Sequence, residues 1–142
     1  MLLRSGLAFI NTGFTGAFGP LWAAMEMVPP NPPMQSALKE WGRERVVERH
    51  DRLEEMIGDT KFVIADRPTL ADGVLIGVAR WLDFHGVAGK NRWPKLAALR
   101  ERIEADPAAI YATALESGER GPKSASCLGH VELADVIERF GS

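Results

Sequence analysis

The chain has 142 residues, 46% hydrophobic and 25% charged, which is the composition of one globular domain rather than of a disordered or fibrous segment. Seventeen Lys and Arg against nineteen Asp and Glu leave a net charge of −2, so there is no basic excess to neutralise phosphates, and neither nucleic acid nor a membrane is expected as a partner. The single cysteine, Cys127, can form no internal disulfide and no thiolate metal site, which fits a reducing compartment, by default the cytoplasm.

Between Arg4 and Glu26 the sequence carries no charge, a run long enough to cross a bilayer. Ser5, Asn11, Thr12, Thr15, the glycines at 6, 13, 16 and 19, and Pro20 dilute its hydropathy. The run therefore reads as a buried helix whose stripe steps by three or four through Leu3, Leu7, Ile10, Phe14, Ala17, Leu21, Met25 and Val28. Pro29-Pro30-Asn31-Pro32-Pro33 ends it near Met27 or Val28 and makes a stiff loop.

Met34 to Ile57 is rich in Glu, Arg, Leu and Val, with Val46, His50, Leu53 and Ile57 on one face, and reads as a long amphipathic helix stopped at Gly58. Lys61 to Ala65 is β-like but has no partner strand, and is expected to be an extended connector. Thr69 opens an apolar stretch to Phe84, with Leu75, Val78, Ala79 and Leu82 on one face, as expected of a buried central helix. After a loop from Gly86 to Asn91, Trp93-Pro94 starts a helix through Glu104. Asp106-Pro107 caps and starts another. A Gly/Ser/Pro loop from Ser117 to Ser126 precedes a terminal helix from His130 to Phe140. Without any strand–helix alternation the fold class is all-α, a bundle of about six helices.

The sharpest local pattern is Thr69-x-x-Asp72 ahead of an apolar run. A threonine oxygen and an Asp carboxylate at this spacing exchange hydrogen bonds with each other's backbone amides and satisfy donors that a buried helix start leaves unpaired. This N-capping box is a structural device. His50, His85 and His130 lack ligand spacing, and His50 with Glu54 has no third ligand, so no metal site is expected. Gly121-Pro-Lys-Ser is not a phosphate loop, because Pro122 separates the Gly from the Lys and no strand precedes it. No Gly-x-Ser-x-Gly or His-Glu-x-x-His occurs. Arg43-Glu-Arg and Leu99-Arg-Glu-Arg-Ile read as solvated helix faces.

The stretch Phe62-Val-Ile-Ala-Asp-Arg-Pro-Thr-Leu-Ala-Asp-Gly-Val-Leu, followed by Arg80-Trp81, resembles the core of the C-terminal helical domain of glutathione S-transferases. Leu7 to Trp22 is similar to the first helix of that domain in bacterial beta-class enzymes, and Leu96 to Leu115, with Arg102 and Asp106-Pro107-Ala108, to its final helix pair. The resemblance divides the chain into a helical domain over residues 1–116 and a loop with a terminal helix over 117–142 packing on it. It implies a substrate-pocket and dimerisation domain, a homodimer, and glutathione as co-substrate when the thioredoxin-like domain that holds most of the glutathione site is present. That domain is absent from these residues, so no cofactor and no catalytic residue are assigned here.

Residue by residue, the family's polar groups facing glutathione fall on Ala8, Thr12 and Gly13, and its cleft His-Lys pair falls on Thr15 and Gly16, so that only Thr12 keeps its chemistry. Thr12, Phe14, Thr15, Phe18 and Trp81 are the resulting candidates for contact with an apolar small molecule. The alternative is a non-catalytic helical protein–protein interaction module, a use to which similar domains are put. Loss of the polar cleft residues favours it.

Overall fold

The computed structural model describes residues 3–58, 60–119 and 131–141, and every regular element among them is helical. The chain forms two compact units, residues 1–104 and 105–142. In the first, α1 (Leu3–Ala8), a π-helical turn (Phe9–Phe14) and α2 (Gly19–Glu26) form one interrupted rod, followed by α3 (Pro32–Met56). Then come α4 (Leu70–Ala79), α5 (Trp81–His85) and α6 (Pro94–Glu104). The second unit holds α7 (Pro107–Glu116) and α8 (Leu133–Phe140). With α1–α2 and α4–α5 each taken as one broken rod, the described residues form six rods, as the sequence predicts.

The first rod is not the continuous helix that the stripe implies. Pro20 has no amide to give to the carbonyl of Gly16, and the chain before it relaxes into a wide turn, then tightens, with Ala17 N–H on Phe14 O at 3.3 Å and Phe18 N–H on Thr15 O at 3.2 Å. Ala17, Phe18, Leu21 and Ala24 are buried, whereas Met25 is 52% exposed and Val28, beyond the helix end, 89%. No helix among the described residues is long and apolar enough to cross a membrane.

The proline run contributes to a helix rather than only to a loop. Asn31 Oδ1 accepts the amide of Met34 at 3.2 Å, and Pro32 and Pro33 occupy the first turn of α3, where their missing donors cost nothing. At Gly42, α3 passes so close to α2 that a Cβ would lie 2.7 Å from Leu21 Cδ2, and Gln35 Nε2 donates to Ala24 O at 2.9 Å across the same hairpin. The core of this unit is built on Ile10, Phe14, Phe18, Val46, Leu53 and Leu75, with α4 contributing Ala71, Val78 and Ala79 as well.

Residues 61–65 are not extended. Phe62 N–H donates to Ala65 O at 2.9 Å, and carboxylates take the neighbouring amides, Asp66 that of Lys61 at 3.1 Å and Asp72 that of Val63 at 2.9 Å. The capping box at α4 is formed. Asp72 Oδ2 accepts both the amide of Thr69 at 2.8 Å and its hydroxyl at 2.7 Å, so one buried carboxylate ties the loop to the helix start.

The expected single helix from Thr69 to Phe84 breaks at Arg80, and the reason lies in α6. Arg100, read from sequence as solvated, is only 7% exposed, because its guanidinium donates to Ala79 O at 3.2 Å and to Asp83 at 2.9 Å, and also meets Glu104 at 3.1 Å. It thus satisfies a carbonyl at the break and a carboxylate on α5. Gly86 then ends α5 in the left-handed region at φ 56°, with its own amide on Asp83 O and that of Val87 on Leu82 O.

In the second unit Asp106 Oδ1 accepts Ala108 N–H at 2.8 Å with Pro107 in the first turn, the start expected for α7. α8 carries Leu133, Val136, Ile137 and Phe140 at helical spacing, all exposed. Its expected beginning at His130, most of the preceding loop and Cys127 lie outside the described residues.

Candidate functional site

The break before Pro20 and the break at Arg80 bring α2 and α5 together in an aromatic chain. Phe14 meets Phe18 edge-on at 6.2 Å between ring centroids, and Phe18 meets Trp81 at 5.6 Å. Trp81 meets Trp22 at 5.4 Å, and Trp22 stacks on Phe84 at 5.3 Å and stands edge-on to His85 at 4.5 Å. Phe14, Phe18 and Trp81 are thus brought into one cluster. Phe14 and Phe18 are sealed in the core, and Trp81 is half-buried beside them.

Of the two hydroxyl candidates Thr12 lies on the preceding wide turn and Thr15 just after it, and both face backwards. Thr12 Oγ1 donates to Ala8 O at 2.6 Å and is exposed, while Thr15 Oγ1 donates to Ile10 O at 2.8 Å and is half-buried. Each occupies a carbonyl of its own helix, the bonding expected of a helical threonine.

Beside the aromatic chain a cleft of about 440 Å³ opens between α2, α3 and the end of α5. Leu21, Ala24, Met25 and Phe84 form its apolar wall, and Gln35, Lys39, Arg43 and His85 its polar one. Arg43 Nη1 donates to Gly86 O at 3.1 Å, which fastens α3 to the turn that ends α5. Arg43 is thus a cross-link as well as a surface charge, which its place in a charged helix face does not disclose. Burial, and after it the neighbouring Arg43 cation, lower the pKa of His85. Its Nε2 and the Nε1 of Trp22 are both buried without a hydrogen-bond partner.

Trp22, Lys39, Arg43, Phe84 and His85 are absent from the sequence-based candidates. The available signals were the i, i+4 spacing of Lys39 and Arg43 and the helical spacing of Trp22 with Phe18, which equally describes core packing. His50 is a core residue. Its Nδ1 lies 2.7 Å from Val46 O, and its ring packs between Phe14 and Trp93 at 4.5 Å each. Burial pushes its pKa down to about 4, the Arg100 cation adding to this against the Val46 carbonyl and Asp51. Glu54 serves α6 instead of a metal, and no cluster of three metal-ligating side chains occurs among the described residues.

The described residues form an all-helical bundle with a capped, buried central helix. The family comparison is specific: residues 22–107 match the family model for the glutathione S-transferase C-terminal domain, and the chain belongs to that family. Among solved structures it is similar to a glutathione S-transferase from Xylella fastidiosa, with a TM-score of 0.66 and 22% identity over 82% of this chain and 55% of that one. It is also similar to BphK, a bacterial GST solved as a ternary complex, with a TM-score of 0.64 and 21% identity over 81% of this chain and 53% of that one. A third is a glutathione transferase from Methylococcus capsulatus, with a TM-score of 0.58 and 28% identity over 81% and 53% of the two chains. The chain therefore spans about half the length of each of these proteins. A search of curated protein sequences finds no significant match.

Proposed function

We propose that this chain is the substrate-pocket and dimerisation half of a bacterial glutathione S-transferase-like protein. In that reading a thioredoxin-like domain binds glutathione and stabilises its thiolate, and the helices hold an apolar electrophile beside it, a proximity effect. The observation that supports it is the family match carried by helices whose two breaks expose one aromatic edge, Trp22 and Trp81, over Phe18. In this reading the half-buried Trp81 is the side chain offered to the electrophile, backed by the buried Phe14 and Phe18, with Thr12 and Thr15 on the helix before them. The protein works as a cytoplasmic homodimer.

The test is the mass of the natural product together with conjugation of glutathione to chlorodinitrobenzene at that natural length. A thioredoxin-like domain, and a turnover that Trp81→Ala lowers, are expected. A natural product without that domain overturns the reading and leaves a non-catalytic interaction module. That second reading has its own support in the exposed stripe of Leu133, Val136, Ile137 and Phe140 on α8.

Glutathione itself should not bind these residues alone. Of the family's polar groups only the Thr12 hydroxyl remains, and one hydrogen bond contributes about 1 kcal/mol, against the ~5–6 kcal/mol that a dissociation constant near 0.1 mM requires. Calorimetry with the 142-residue chain is expected to show no saturable glutathione binding at sub-millimolar concentration.

A further inference from the structure

Leu133, Val136, Ile137 and Phe140 stand on one face of α8, and all four are exposed. At 100° per residue they form a lozenge centred between Val136 and Ile137, so the stripe keeps its outline when the helix is turned end for end. A surface with that property fits a second copy of itself. In an antiparallel pair, Leu133 of one copy lies on Phe140 of the other, and Val136 on Ile137.

The charges beside the stripe select this direction. Glu132 and Arg139 are seven residues apart, nearly two turns, so they share one flank of the stripe but stand about 10 Å from each other within one helix. The other flank has only Ala134 and Gly141. About the two-fold axis of an antiparallel pair like flanks meet, and Glu132 of each copy comes to within about 3 Å, along the helix axis, of Arg139 of the other. In a parallel pair unlike flanks meet, and each charge faces Ala134 or Gly141. Arg139 is in no ion pair among the described residues, and its guanidinium lies 5.4 Å from the centre of the Phe140 ring, at the edge of the stripe. The back of the helix carries Asp135 and Glu138, which an anionic lipid surface repels.

We propose that α8 pairs antiparallel with α8 of a second copy of this chain, through the four apolar side chains and two reciprocal Glu132–Arg139 ion pairs. Four anchors a side make a small interface, so the pairing depends on concentration, and the exposed ion pairs set its direction more than its strength. It is confined to α8 and needs neither glutathione nor a thioredoxin-like domain, so it goes beyond the reading above and stands or falls separately from it.

Cysteine cross-linking of the 142-residue chain carrying Cys127→Ser, at about 100 μM under mild oxidation, tests this. The two-fold axis passes beside Ile137 and leaves the two Phe140 positions about 11 Å apart, so Ile137→Cys is expected to cross-link at least ten-fold faster than Phe140→Cys. With Ile137→Cys in place, Arg139→Glu and Glu132→Arg should each slow the reaction about five-fold, and the two together should restore it to within about two-fold. The swap carries whatever Glu132→Arg costs the helix start, so its recovery reads the pairing alone. Glu138→Arg makes the same charge change on the back of α8 and should alter the rate by no more than about two-fold. Association through other helices does not bring these positions together. Faster cross-linking at position 140 would make the pair parallel, and a swap without recovery would remove the ion pairs; either overturns the proposal. No cross-link at either position would leave the stripe to another occupant, a different protein or a lipid vesicle, with the same consequence.

Discussion

Glu54 on α3 holds the first turn of α6, its two carboxylate oxygens accepting the amides of Lys95 at 2.9 Å and Leu96 at 2.8 Å. Pro94 starts that helix, and the negative charge sits at the positive end of its dipole. Beside it Asp51 accepts the indole N–H of the buried Trp93 at 2.6 Å. Glu54→Ala is expected to cost about 1–2 kcal/mol in denaturant unfolding, and Glu54→Gln, which keeps an acceptor but loses the charge, about half of that. An unchanged midpoint for the alanine variant would show that the cap contributes nothing.

Asp72 should be the most sensitive single position for folding. Its carboxylate serves the amides of Val63 and Thr69 and the Thr69 hydroxyl, and Asp72→Ala leaves two amide donors without partners in a buried place. The expected loss is about 2–4 kcal/mol, against about 1 kcal/mol for Thr69→Ala, which removes only the hydroxyl. Equal losses for the two variants would contradict the central place given to the carboxylate.

His50 makes stability depend on pH. Its pKa is about 4 in the folded chain against 6.5 in the unfolded one, so between those values the unfolded state binds the extra proton. The contribution of neutral His50 is complete above pH 6.5, is lost as the pH falls toward 4, and stops changing below that. The total is at most about 3 kcal/mol. Urea midpoints measured across this range should fall with acidity in the parent and fall less in His50→Gln. A ring proton resonance of His50 that titrates near 6.5 in the folded chain would refute this.

Gly42 is required by the contact with Leu21. A methyl group there would sit 2.8 Å from Leu21 Cγ and 3.2 Å from its backbone nitrogen, so the α2 backbone and the stem of Leu21, not only the tip of a side chain, must give way. Gly42→Ala gains about 1 kcal/mol of helix propensity and loses more to overpacking, for a net cost of about 1–2 kcal/mol in thermal unfolding. Gly73→Ala, whose Cβ would meet nothing, is the matched control and should stabilise.

Much of this architecture is written in local pattern. The Thr69/Asp72 box, the Asp106-Pro107 start and the face of Val46, His50 and Leu53 depend on neighbours a few residues away, and the structure has each of them. What was not legible depends on partners far along the chain. Arg100 has the look of a solvated charge until the carbonyl of Ala79, freed by the break at Arg80, comes within its reach. The cleft cations belong to the same class, since only the turn at Gly86 shows that Arg43 faces α5. Met25 is not in the buried stripe because Ala24, three residues after Leu21, takes the inner place, and spacing alone leaves the choice between a step of three and a step of four open.

The break at Arg80 means that α5 does not inherit its direction from α4. A guanidinium from α6 grips the last carbonyl of one segment and a carboxylate of the next, so the angle at which Trp81, Phe84 and His85 are presented is chosen by a helix that lines none of the cleft. The aromatic wall can therefore be re-aimed from behind, through Arg100 or Asp83, without replacing any side chain that a ligand would touch. For such a domain the orientation of the aromatic wall and the identity of its side chains are separable properties.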